Sequence, residues 1–204
     1  MALAPRATTS TATSTTKPTP YVVPPTQEFD GNDGSWSTFK INIGTPGQDF
    51  RVLASTRAGE VFVVVPEGCL PSDGPDCASL RGAEPFQSSE SPGFQSNESS
   101  TWENIGQYTV NMEAHLNYTA NAIFGYDRVG FGPASDKDVL EIERKVVAGV
   151  AELDYWMGYL PLGIQAPSFS SLSEPIDSVM MSLWNQSKIP SLSYSYTAGA
   201  KYRT

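Results

Sequence analysis

The alternation of apolar and polar residues along this chain predicts a series of β-strands. Phe39, Ile41 and Ile43 alternate with polar neighbours, as in a strand with one buried face. Residues 108–118 alternate in the same way, which predicts a long strand with one wet face. Residues 61–65 form a continuous β-branched and aromatic run, which predicts a strand buried on both faces. Further strands are predicted over 50–54, 123–131, 146–151 and 192–196.

A single amphipathic helix is predicted towards the C-terminal end. Its apolar residues recur at the spacing of one helix face: Ile176, Val179, Met180, Leu183 and Trp184. Pro175 suits the first helical position, and Asp177 is expected in the first turn, where the helix dipole favours an anion. Pro190 is expected to end the helix. Many short strands with one helix predict a mostly β fold.

Composition agrees with a loop-rich β domain and suggests where it begins. The 204 residues include 17 glycines and 16 prolines, and only 17% are charged, which is unlike a helical bundle. Residues 8–16 are almost all serine or threonine, and prolines follow, so this segment cannot form a core. We therefore predict a disordered arm over 1–28, a candidate remnant of a signal or pro-region, and an ordered domain over 29–204.

The charge of the chain argues against one class of function. The formal net charge is −9, and lysine and arginine form no cluster. Because a nucleic-acid-binding face must be basic, no nucleic-acid partner is expected. No run of about eighteen apolar residues is present, so no membrane span is expected either. We predict no cofactor.

The two cysteines and three sequons indicate an oxidising, secretory route. A turn-forming stretch separates Cys69 from Cys77, so the chain can double back and close a short disulfide loop, although two free buried thiols remain an alternative. No histidine cluster or CxxC spacing accompanies them, and no metal is predicted. Asn97, Asn117 and Asn185 are candidate N-glycosylation sites. We therefore expect a secreted, extracellular or cell-wall glycoprotein.

Several segments resemble the pepsin-like aspartic peptidases (family A1), and the resemblance is strongest to fungal members. Residues 39–56 are similar to the family's opening hairpin, in which Ile-Gly-Thr-Pro-x-Gln precedes an apolar run and then Asp-Thr-Gly-Ser. The other similar segments, in sequence order, are 61–64, 96–102, 123–132, 147–151 and 189–203. Coverage from about 34 to 203 implies a pepsin-like acid-protease fold, as a partial N-terminal lobe of β-sheets with one helix.

The catalytic motif of that family is degenerate in this chain. The family activates a water between two carboxylates, one from each lobe, which share a proton. The resemblance places Ser55 where the first of these aspartates belongs, followed by Thr56 and then by Arg57 in place of glycine. A hydroxyl of very high pKa cannot hold the shared proton, and no Asp-Thr-Gly or Asp-Ser-Gly occurs elsewhere. We therefore predict no catalytic residue.

Two further family elements are altered. Residues 158–163 resemble the apolar-apolar-Gly element that flanks the catalytic loop, formed here by Tyr159, Leu160 and, at the glycine position, Pro161. The family's flap motif is absent, and counting back from residue 123 leaves His115 and Tyr118 as flap candidates. Because proline lacks the N–H and fixes φ, we do not expect Pro161 to reproduce the family's packing of this loop.

These observations predict a catalytically inactive aspartic-peptidase-like protein that retains binding of extended peptides. One alternative is an active aspartic endopeptidase whose aspartate lies in another register. A second is a cell-wall structural protein that uses the Ser/Thr-rich arm as a spacer. The resemblance further implies that the domain needs a missing C-terminal portion, because the family continues with more strands and a second lobe.

Overall fold

The computed structural model describes residues 20–28, 30, 36–57, 59–110, 114–164 and 177–197. The described part is mostly β, with seven strands and two short α-helices. In chain order these are β1 (Thr38–Ile43), β2 (Gln48–Ser55), β3 (Val61–Val64), α1 (Cys77–Leu80), β4 (Glu103–Val110), β5 (Ala120–Gly130), β6 (Glu141–Val150), β7 (Gly158–Pro161) and α2 (Val179–Asn185). None of the helices in these ranges is long and apolar enough to cross a membrane.

The seven strands form one mixed sheet that closes on itself. Their order is β1-β2-β7-β3-β6-β5-β4, and a short antiparallel pairing of β1 with β5 joins Asn42 to Gly130 and Ile43 to Val129. This pairing closes six strands into a ring, while β4 pairs with residues 120–126 of β5. The strands β2 and β7 run parallel, as do β3 and β6.

The short strand β7 lies between two strands that are consecutive in the chain. It pairs parallel with β2 and antiparallel with β3, so the loop between β2 and β3 must pass over the end of β7. Gly158 allows this close approach, since a Cβ at that position would lie 2.3 Å from the carbonyl oxygen of Phe62. The insertion places Pro161 directly opposite Ser55.

The core consists of two clusters on opposite faces of the sheet. The larger cluster contains Ile41, Phe50 and Val63 together with the buried face of α2. The smaller one contains Phe62 and the alternate residues of β5 and β6. Because Phe62 and Val63 are both buried but belong to different clusters, the prediction that this strand is buried on both faces is confirmed.

The prediction of a long strand over 108–118 was wrong. β4 starts earlier, at Glu103, and ends at Val110. Ala114–Leu116 is a 3-10 turn, and Asn117 has a positive φ of 63°. Since β4 pairs antiparallel with β5, with Val110 opposite Ala120, the chain must reverse between them. The alternating pattern continues through the reversal, where residues 115–119 are exposed, because alternation alone does not distinguish a strand from a turn.

The helix is shorter than predicted, and the last predicted strand is absent. Ser178 is the N-cap of α2 and accepts a hydrogen bond from the backbone of Met181, so Asp177 precedes the helix. The helix ends at Asn185, and Ser187, with φ 55°, lets Lys188 bond back to the carbonyl of Leu183.

Three further predictions concern the chain around this helix. Residues 192–196, predicted as a strand, form none. Trp184 is 46% exposed, although the helix pattern placed it on the buried face. The predicted helical residues Pro175 and Ile176 lie outside the described residues.

Residues 20–26 precede residue 29, where the ordered domain was predicted to begin, and they already pack against the sheet. The backbone N–H of Thr26 donates to the carbonyl of Thr38 at 2.8 Å, and Pro25 forms a β-bridge with Phe39. The hydroxyl of Tyr21 donates to the carbonyl of Phe131 at 3.0 Å. Of residues 20–26, assigned to the arm by composition, Pro25 and Thr26 therefore pair with the start of β1, and Tyr21 contacts the residue that follows β5. The Ser/Thr-rich residues 8–16 lie outside the described residues.

Candidate functional site

The loop that follows β2 holds the residues that the sequence resemblance aligns with a catalytic motif. Ser55 is the last residue of β2 and is half-buried, whereas Thr56 and Arg57 are exposed. The hydroxyl of Ser55 accepts a hydrogen bond from the backbone N–H of Arg57 at 3.3 Å. The carbonyl of Ser55 accepts a hydrogen bond from the backbone N–H of Leu162 at 2.7 Å. The preceding residue, Pro161, has no N–H to donate. The serine is thus held at the strand end by contacts on both sides.

The acidic residue nearest to this loop in sequence is Glu60, which precedes β3. Burial raises the pKa of the Glu60 carboxyl, although backbone N–H groups and the charge of Lys145 oppose the rise. The electrostatic neighbour identified for this carboxyl is therefore an amine, whereas a proton-sharing dyad requires a second carboxylate.

Lys145 is the most deeply buried lysine described, with 1% of its surface exposed. Its amine donates to the carbonyl of Asp177 and to the hydroxyl of Ser182, the latter at 3.3 Å. Burial lowers the pKa of Lys145 to about 8, while Asp177 and Glu60 act in the opposite direction. Sequence reasoning missed this group. The available signal was a lysine directly before the apolar run of residues 146–151.

The apolar-apolar-Gly element forms β7 itself. Leu160 and Pro161 are buried and Tyr159 is partly buried. The ring of Tyr159 packs edge-on against Phe62, with centroids 5.8 Å apart, and the ring of Tyr155 is stacked parallel to that of Phe62, with centroids 6.2 Å apart. The aromatic cluster Phe62–Tyr155–Tyr159 therefore covers the sheet face beside the strand that ends at Ser55.

The two flap candidates lie on the reversal between β4 and β5. His115 is exposed, and Tyr118 is 39% exposed. The hydroxyl of Tyr155 donates to the carbonyl of Tyr118 at 3.4 Å, which links the reversal to the aromatic cluster. A role for either residue as a flap stays a prediction.

The disulfide and a buried arginine organise the segment after β3. Cys69 and Cys77 are bonded, with 5.8 Å between their Cα atoms, so the predicted disulfide is confirmed. Arg81 lies just after α1, is 1% exposed and donates to five backbone carbonyls at 2.5–3.3 Å. Four of these carbonyls belong to residues 151–156, so the guanidinium joins the disulfide loop to the segment before β7.

Another buried charge joins two of the segments that carry the family resemblance. One carboxylate oxygen of Asp127 accepts from the hydroxyls of Ser99 (3.1 Å) and Thr101 (2.6 Å) and from the backbone N–H of Arg128. Its second oxygen is buried without a hydrogen-bond partner among the described residues. Asp127 thus anchors the segment 96–102 against β5.

The three sequon asparagines are exposed, as attachment of a glycan requires. Their glycosylation stays a prediction. Within the described ranges, no group of three or more histidine, cysteine, aspartate or glutamate side chains could hold a metal ion.

A comparison of the chain with models of protein families finds no match, and neither does a comparison with curated proteins.

Proposed function

We propose that this protein is a pepsin-like aspartic-peptidase homologue that has lost catalysis and binds extended peptides, as a secreted or cell-wall glycoprotein. The observation that carries the proposal is the position of Ser55. The residue that the resemblance aligns with a catalytic aspartate lies at the end of β2, opposite the element that the resemblance aligns with the flanking apolar strand.

The loss of catalysis follows from the chemistry at that strand end. Acid proteolysis by a carboxylate pair needs one group to accept a proton from water while the other donates one. Ser55 offers a hydroxyl that accepts a hydrogen bond from the N–H of Arg57 and cannot take either role near neutral or acidic pH. The proposal therefore assigns no bond-breaking step to this chain.

Peptide binding does not need a carboxylate pair. An extended peptide is held by main-chain hydrogen bonds and by apolar pockets for alternate side chains. Tyr159, the partly buried member of the aromatic cluster, and Tyr118 on the neighbouring reversal supply apolar surface and backbone groups in one neighbourhood, on a base formed by the buried Phe62 and Tyr155. The disulfide supports the secretory location, because such bonds persist in oxidising compartments.

The catalytic half of the proposal is tested by incubating the purified chain with an acid-denatured protein substrate between about pH 3 and pH 6. We expect no cleavage, and none from the double variant Ser55→Asp, Arg57→Gly, because a single aspartate still lacks its partner. Cleavage by the unaltered chain that a hydroxyl-bearing transition-state analogue abolishes would overturn the proposal.

The binding half is tested by fluorescence anisotropy with a fluorescein-labelled peptide of alternating apolar and polar residues. Saturable binding that Tyr159→Ser weakens about tenfold is expected, since a buried aromatic contact contributes at least that much to affinity. Leu80→Ser, at an exposed leucine of α1, is the matched control and should leave affinity unchanged. Equal affinities of the two variants, or no saturable binding, would refute peptide recognition at this cluster.

A further inference from the structure

A second candidate site is a groove of about 530 Å³ on the face of the sheet that carries α2. Its floor is formed by apolar side chains of the sheet and of α2, among them Phe39, Ala54, Leu160, Met180 and Leu183. Its two walls are the segments 20–23 and 189–196, which run before β1 and after α2. The volume lies in the range that protein pockets offer to one small molecule, about 300–1,000 Å³.

The groove is electrically neutral. None of the described residues that line it carries a charge, although the chain has 13 basic and 22 acidic residues. Polar groups are concentrated on the wall after α2, where the hydroxyls of Ser191 and Ser193 lie 2.6 Å apart beside Tyr194 and Tyr196. A desolvated ion would find no counter-charge here, so the lining favours an uncharged ligand.

The shape of the groove argues against a peptide or a protein surface as the occupant. The floor strands β2 and β7 have strand neighbours on both sides, and the start of β1 is occupied by Pro25 and Thr26, so a peptide finds no free edge to extend. The floor lies between the segments 20–23 and 189–196, so a flat protein face cannot reach it. A narrow apolar molecule can insert between the walls.

We propose that this groove binds one uncharged, largely apolar small molecule with a hydroxyl or carbonyl at one end, such as a long-chain alcohol or a neutral acyl ester. The apolar body packs against the partly exposed Phe39, Ala54 and Leu162, and the polar end reaches the serine-bearing wall. The site is separate from the aromatic cluster, because neighbouring residues of a strand face opposite sides and Tyr159 precedes Leu160 in β7.

The proposal is tested by titrating the whole chain with Nile red, an uncharged dye whose fluorescence reports an apolar environment. We expect saturable one-to-one binding and displacement by dodecanol. Dodecanoate and dodecylammonium, which have the same chain length but carry a charge, should displace the dye at least tenfold less effectively. Non-saturable dye binding, or equal potency of the charged and uncharged competitors, would overturn the proposal.

Variants then locate the site. Ala54→Leu adds bulk to the floor and should weaken dye binding about tenfold, whereas Leu153→Ser, at a leucine that is 49% exposed outside the groove, should not change it. Ser193→Glu, on the exposed wall, should favour dodecylammonium over dodecanol relative to the unaltered chain. Since Ser193 is exposed, this arm remains decisive if Ala54→Leu does not fold, and an unchanged preference would place the ligand elsewhere.

Discussion

Replacing Lys145 by methionine should raise the stability of the protein at neutral pH and remove a characteristic pH dependence. The amine is buried, and its pKa is lowered from 10.5 to about 8 in the folded chain. A difference of 2.5 pKa units (10.5 − 8) corresponds to about 3 kcal/mol, since one unit corresponds to 1.36 kcal/mol. This is the cost of keeping the charged amine in the core.

The direction of the pH effect follows because the amine of Lys145 holds its proton more weakly in the folded chain than in the unfolded chain. Below pH 8 both the folded and the unfolded chain hold the proton, so the full cost applies. Between about pH 8 and pH 10.5 the folded chain releases the proton first, and the free energy of unfolding rises with pH. Above that range the cost disappears. Lys145→Met has no such group and should lack the rise.

The measurement is urea unfolding followed by tryptophan fluorescence from pH 7 to pH 11. The unaltered protein should gain about 3 kcal/mol relative to Lys145→Met across that range. At pH 7 removal of the charge should stabilise the variant by about 3 kcal/mol, and the loss of two hydrogen bonds should cost roughly 1 kcal/mol each. The variant should therefore be more stable by about 1 kcal/mol.

Two further variants make the experiment specific. Lys188→Met, at an exposed lysine, should keep the pH profile of the unaltered chain. Glu60→Gln removes a carboxylate that favours the charged amine, so it should lower the pKa of Lys145 further and shift the rise to lower pH. Parallel profiles for the unaltered chain and Lys145→Met would show that Lys145 is not a desolvated charge, and the reasoning would fail.

Two other predictions concern the segment after β3. Arg81→Met should lower the free energy of unfolding by at least about 3 kcal/mol, because it leaves five backbone carbonyls without this donor. The control is Arg144→Met, at an exposed arginine, which should cost less than about 1 kcal/mol in the same urea titration. Replacing both Cys69 and Cys77 by alanine should cost about 2.5 kcal/mol, the loop-closure entropy for a sequence separation of 8. An unchanged urea midpoint for either variant would contradict its assigned role.

Residue pattern alone determined most of the strands and the mostly β class. The predictions for β1, β2 and β3 lie within two residues of the observed ends, because alternation and β-branching report burial through short-range geometry. The same signal was wrong at residues 108–118. It records which side chains face the core or solvent but does not register that the chain reverses after Val110.

Only the tertiary structure decided which strands are neighbours and which charges are buried. The insertion of β7 between β2 and β3 joins residues about a hundred positions apart, and no local pattern specifies such a partner. Likewise, Lys145 and Arg81 look like ordinary surface residues in the sequence. Their burial depends on carbonyls and carboxylates supplied by distant segments, which offset the lost solvation only in part at Lys145 and only once the sheet has closed.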